Sequence, residues 1–141
     1  MYDILHDLQI DATPDKIFNA VSQSQHLNNW WTKECDGIPK VGEEYRLYFS
    51  PEYDWKAEVS ICIPAKHFEL QMTDSDEDWN PTHFGFELKP NPKGTRLSHY
   101  HKGWLSTNHH YRRSNYSWAQ LLRLLKNYVE KGEVVGFMHR E

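Results

Sequence analysis

The stretch Thr95–Trp104, TRLSHYHKGW, decides how the rest of the chain is read. Leu97, His99 and His101 alternate along a strand-like run, so all three side chains leave the same face of a sheet. A face that opens with leucine and continues with two histidines is either solvated or belongs to an interior that accommodates polar groups. Immediately upstream, Pro90-Asn91-Pro92-Lys93-Gly94 is a strong turn, and Phe84, Phe86 and Leu88 give the preceding strand an apolar face. Across that hairpin Leu97 shares the apolar face, and parity carries His99 and His101 inward with it.

Working outward, the period of two extends back to residue 45. Tyr45, Leu47 and Phe49 alternate, then Trp55, Ala57, Val59, Ile61 and Ile63 form the clearest inward face, followed by Phe68, Leu70 and Met72. The acidic run Asp74-Ser75-Asp76-Glu77-Asp78 interrupts this pattern and reads as a solvated turn. It lacks the glycine and terminal glutamate spacing of an EF-hand loop. Connections this short favour an antiparallel meander.

The chain opens on another strand, with Tyr2, Ile4, His6, Leu8 and Ile10 alternating. Thr13-Pro14-Asp15 then starts a short helix, with Thr13 as N-cap, Pro14 at the first helical position and Asp15 near the positive end of the dipole. A second short helix follows with Ser22 or Ser24 as its cap and Leu27, Trp30 and Trp31 facing inward. The longest helix runs from roughly Thr107 to Lys131 and stops at Gly132, a left-handed cap. Its apolar stripe is Tyr111, Asn115, Trp118, Leu122, Leu125 and Val129, in which a buried Asn115 needs a hydrogen-bond partner.

Bulk properties fit one soluble domain spanning residues 1–141, with 26% charged and 38% hydrophobic residues. Six Trp and eight Tyr supply large pieces for a core or for pocket walls. A formal net charge of −4 argues against nucleic acid as a partner. Cys35 and Cys62 read as reduced thiols, no signal peptide is apparent, and no apolar run is long enough to insert stably in a membrane, so a cytoplasmic location is expected.

Three segments, IDATPDKIFNAVSQSQHLNNWW (Ile10–Trp31), GTRLSHYHKGW (Gly94–Trp104) and WAQLLRLLKNYVEKG (Trp118–Gly132), resemble in order and spacing the chaperone-ATPase-activator C-terminal-like branch of the START/SRPBCC superfamily, the birch-pollen-allergen-like proteins. The resemblance covers nearly the whole chain. It implies an α+β helix-grip fold: a curved antiparallel sheet in β-α-α-β-meander-α order, wrapped around a long C-terminal helix and enclosing a cavity open at one end. It also implies that the first strand lies beside the last, bringing His6 near His99 or His101. Relatives use such cavities for lipids, sterols, polyketides and other bulky apolar molecules, and some are cyclases. The branch shares no catalytic residues, so none is assigned. Trp30 corresponds to a helix-packing residue and Trp118 heads the long helix. The co-chaperone of the family carries a second, N-terminal domain for which this chain has no room, so its chaperone partner is not carried over. A homodimer is compatible with the sequence.

The expected function is therefore binding of a hydrophobic or amphipathic small molecule between sheet and long helix. Candidate walls are Trp55, Val59, Phe68, Phe84, Phe86, Tyr111, Trp118 and Leu122, and candidate polar anchors are His99, His101 and Asn115. Many of these residues serve equally well as close-packed core. For the imidazoles three readings stand: internally satisfied groups, anchors for a ligand's polar end, or members of a three-histidine zinc site with His6. No carboxylate or thiolate is placed to complete such a site, and no cofactor is expected. No Ser-His-Asp set, phosphate loop or carboxylate pair is present. A cyclase- or hydrolase-like enzyme using the histidines and a co-chaperone or stress-response interaction protein remain the alternatives.

Overall fold

The computed structural model describes residues 1–140. Strand β1 (Tyr2–Ile10) leads into helices α1 (Pro14–Ser22) and α2 (Ser24–Leu27). Six strands follow: β2 (Glu34–Asp36), β3 (Glu44–Ser50), β4 (Tyr53–Ile63), β5 (His67–Asp74), β6 (His83–Asn91) and β7 (Gly94–Trp104). Helix α3 (His109–Lys131) and a 3-10 turn (Phe137–His139) complete the chain. The sheet order is β1-β7-β6-β5-β4-β3-β2, antiparallel throughout. This is the helix-grip arrangement, with one face of the curved sheet closed over α1, α2 and α3. Among the described residues no helix is long and apolar enough to cross a membrane.

Local chemistry explains the helix ends. Thr13 caps α1 by accepting from the Lys16 amide, with Pro14 at the first helical position, as its sequence indicates. Gly132 ends α3 at φ 71°, the left-handed cap. Two other caps differ from expectation. Neither Ser22 nor Ser24 caps α2; Gln23 occupies that position without a side-chain bond, and the Ser22 hydroxyl instead donates to the Phe18 carbonyl within α1. Asn108, rather than Thr107, opens α3, accepting from the Tyr111 amide at 3.1 Å.

The strand faces follow parity until a bulge breaks it. Trp55, Ala57 and Val59 are buried, but Ile63 is 49% exposed. The register shifts between Val59 and Ile61, so Ile61 faces Glu69 and Cys62 faces Phe68. The extra residue, Ser60, donates to the Glu69 carboxylate at 2.7 Å, and beyond it inward and outward positions exchange. The short strand β2 also escaped the sequence pattern, because three residues carry too little periodicity to register.

The register of β7 rests on Gly94. At φ 123° it holds a conformation L side chains rarely adopt, and a Cβ there would collide with the Ile10 carbonyl of β1. This close approach lets β1 pair with β7 from Ile10↔Thr95 to Ile4↔His101. His6 therefore lies directly opposite His99, their rings roughly parallel with centroids 6.3 Å apart.

Candidate functional site

The two histidines of β7 do point inward, and both are essentially fully buried. What surrounds them is packed rather than hollow. The His99 ring lies 4.2 Å from the Trp118 ring and 5.1 Å from Phe86, and His101 sits 4.5 Å from Trp79 and 4.7 Å from Trp104.

Hydrogen bonding fixes the protons of His101. The Trp118 indole can only donate, and its Nε1 lies 3.0 Å from His101 Nδ1, so Nδ1 carries the lone pair. Nε2 then bears the proton and donates to Thr82 Oγ1 at 2.7 Å, and Thr82 donates onward to the Trp79 carbonyl. His99 donates from Nδ1 to the Gly85 carbonyl at 3.1 Å, leaving Nε2 buried and unpartnered, as is Nε2 of His6. Burial, reinforced by His6, pulls the His99 pKa down to about 3. Burial likewise holds His101 well below the usual imidazole range, with His99, His83 and His110 adding to the effect. Both rings are neutral at neutral pH. With both nitrogens of His101 committed, the three-histidine metal arrangement has no third ligand.

The open space lies farther along the same helix. A cleft of about 790 Å³ opens between the loop after β5, the first half of α3 and the C-terminal segment. Its aromatic wall is Trp31, Phe49, Tyr53, Trp55, Trp79 and Trp118. Helix α3 contributes the polar side chains His109, His110, Arg113, Ser114, Ser117 and Gln120. Phe137, Met138 and Arg140 close one end.

Of the candidate wall residues, Trp55 and Trp118 line this cleft. Val59, Phe68, Phe84, Phe86 and Leu122 are buried core instead, each at most 3% exposed. Tyr111 packs edge-on to Trp104 and donates its hydroxyl to the Asp3 carbonyl, sealing the β1 edge. The polar anchors need correction. His99 and His101 serve the core and do not line the cleft, and Asn115 is exposed. The buried stripe of α3 runs through Ser114, Trp118, Leu122, Leu125 and Val129. Four residues back from Trp118 lies about 40° from it around the helix, whereas three back lies about 60° on the opposite side, enough to turn Asn115 outward.

Trp79 was missed because it sits in a run of acidic residues. Asp76 Oδ1 accepts the backbone N–H groups of Asp78 and Trp79, a tight turn that swings the indole inward. The ring lies 4.9 Å from Trp55 and donates to Ser114 Oγ at 3.2 Å. A lone tryptophan in an otherwise charged loop was the available signal, since so large an apolar surface is seldom left in water. The same turn sets Asp76 and Asp78 about His110, whose Nδ1 is 3.3 Å and 3.2 Å from their carboxylates. These three donors lie within 4.8 Å of one another, the one group of metal-ligand type found among the described residues. The distances are equally those of one Nδ1–H shared by two carboxylates.

Sheet, helices and cleft define a helix-grip domain whose interior is filled and whose opening lies beside the front of the long helix. The chain belongs to the family described as Activator of Hsp90 ATPase homolog 1-like protein, whose sequence model matches residues 11–130. The structure is similar to that of the Aha1 dimer from Colwellia psychrerythraea, at 29% identity over 94% of this chain and 99% of that one, with a TM-score of 0.86. A Mesorhizobium loti protein (20% identity, 94% and 100% covered, TM-score 0.83) and CalU16 from Micromonospora echinospora (17%, 92% and 77%, TM-score 0.74) share the fold. A comparison with proteins of curated function gives no match.

Proposed function

We propose that the protein binds a small, ring-bearing apolar or amphipathic molecule in the cleft beside α3. The observation that carries this reading is the cleft itself: about 790 Å³, within the range of small-molecule sites, with aromatic side chains on one wall. Polar groups from α3 share the lining with these rings, a mixture that orients a ligand bound mainly through apolar contact. A cyclase or hydrolase built on His99 and His101 finds no support, because both are buried away from the cleft and His101 has no free nitrogen.

Native mass spectrometry of protein purified without detergent tests the binding reading. A stoichiometric small-molecule adduct is expected, and Trp55→Ala, which strips one wall, should lose it. A bare protein mass, with no thermal stabilisation by any member of a panel of aromatic compounds, would overturn the proposal.

A homodimer is a second reading, supported by the dimeric Colwellia relative. Sedimentation equilibrium should then give twice the mass of 16.8 kDa. A single species at that mass across the micromolar range would remove this reading and leave ligand binding untouched.

A further inference from the structure

Arg140 is the most unusual charged group of the cleft. It is only 9% exposed and closes one end of an aromatic cavity. Its guanidinium donates from Nη2 to the Asn28 carbonyl at 2.7 Å, from Nη1 to the Thr32 carbonyl at 3.1 Å and from Nε to the Val135 carbonyl at 2.9 Å. Asn28 and Thr32 lie just past the C-terminal end of α2, where helix carbonyls lack partners of their own. Phe137 holds the other side of the group, its ring centroid 5.6 Å from the guanidinium carbon. The side chain is thus locked in place before any ligand arrives.

These bonds position the cation without neutralising it. Carbonyl dipoles carry no net charge, and among the described residues no carboxylate lies within ion-pair distance of Arg140. Three of five guanidinium N–H groups are used, leaving one on each terminal nitrogen, the number a carboxylate accepts in a two-point bond. Among the described residues Asp76 is the one carboxylate lining the cleft, and it is already engaged by two backbone N–H groups and by His110. Burying a cation is costly, and an anion entering beside the aromatic wall offsets that cost.

We propose that the cleft selects aromatic carboxylates, with the ring against the tryptophan wall and the acid group on Arg140. This rests on the binding reading above and adds the chemical class of the ligand.

The test uses an isosteric pair, 2-naphthoate and 2-naphthamide, titrated calorimetrically into the protein. The two share ring and shape and differ in charge. At neutral pH the wild-type protein should bind the carboxylate at least tenfold more tightly than the amide. Arg140→Gln should cut that preference to less than twofold, and Arg140→Lys, which keeps the charge but not the fork, should fall between. The wild-type ratio needs no variant, so the test survives if Arg140→Gln loosens the C-terminal segment. Equal wild-type affinities, or a preference that persists in Arg140→Gln, would overturn the carboxylate assignment while the cleft reading stands. Binding of neither compound would overturn the carboxylate assignment, and the cleft reading falls with the bare mass and unresponsive compound panel named above.

Discussion

Trp118→Ala is expected to remove about 4 kcal/mol of stability, read as a large fall in the urea midpoint. The indole is 1% exposed, with rings of Trp31, Phe84 and His99 at 5.2, 5.5 and 4.2 Å, so no neighbour can move in to fill the space it vacates. The substitution also strips the donor from His101 Nδ1, stranding a buried lone pair. Against a typical domain stability of about 5–15 kcal/mol, a loss of this size removes from about a quarter to about four-fifths of the total. Trp118→Phe separates the two contributions: it keeps most of the apolar area and should cost about 1–2 kcal/mol, mainly for the orphaned acceptor. Trp55→Ala gives the contrast. Trp55 also turns a face to the cleft, so fewer packing contacts are lost and less than half the cost of Trp118→Ala is expected, with the main effect on ligand affinity. Equal losses at the two positions would mean that the wall behind Trp55 is closed in solution, and the cleft reading would fall with it.

How far the sequence could be read depended on the range of the interactions involved. Alternation along β7, started by Leu97, was enough to turn His99 and His101 inward, because parity is a local property of a strand. Their role was not legible. It is set by Thr82 from the loop before β6 and by Trp118 from α3, and no spacing brings those residues together in advance. Parity failed at Ile61 and Ile63 because one unpaired residue, Ser60, inverts every position after it, and nothing in the run YDWKAEVSICI marks that site. On α3 the helical period was read correctly but its phase was off by one residue at the front end, exchanging Ser114 for Asn115. The cleft was the least legible feature, since it draws on Trp79, Arg113 and the segment around Arg140, which lie far apart in the chain. The resemblance implied an opening between the sheet and the long helix. The gap lies beside the imidazoles rather than around them.

The buried imidazoles predict a protein that weakens in mild acid. In the unfolded chain a histidine takes up its proton near pH 6.5, whereas folded His99 resists it down to about pH 3. Between those values the unfolded state binds more protons, so stability falls as the pH is lowered. The contribution is fully present above pH 6.5, is lost progressively below it, and stops declining near pH 3. At pH 5 the difference amounts to roughly 1.5 pH units, or about 2 kcal/mol for His99 alone. His101 acts in the same direction, since burial and the neighbouring His99, His83 and His110 all oppose its charging. Thermal melts between pH 7.5 and pH 4.5 should therefore show a steep decline beginning near pH 6.5. Carboxylates also titrate toward the lower end of that window, and His99→Phe isolates the imidazole contribution. That variant gives up the bond to the Gly85 carbonyl but also removes the unpartnered Nε2, so it should stay within about 1 kcal/mol of wild type at pH 7.5. At pH 5 it should be the more stable protein, because a phenyl ring has no proton to gain. Wild-type and His99→Phe curves that run parallel across the whole range would show that His99 is charged, or reached by water, in the folded state, and the packed interior described for β7 and α3 would have to be abandoned.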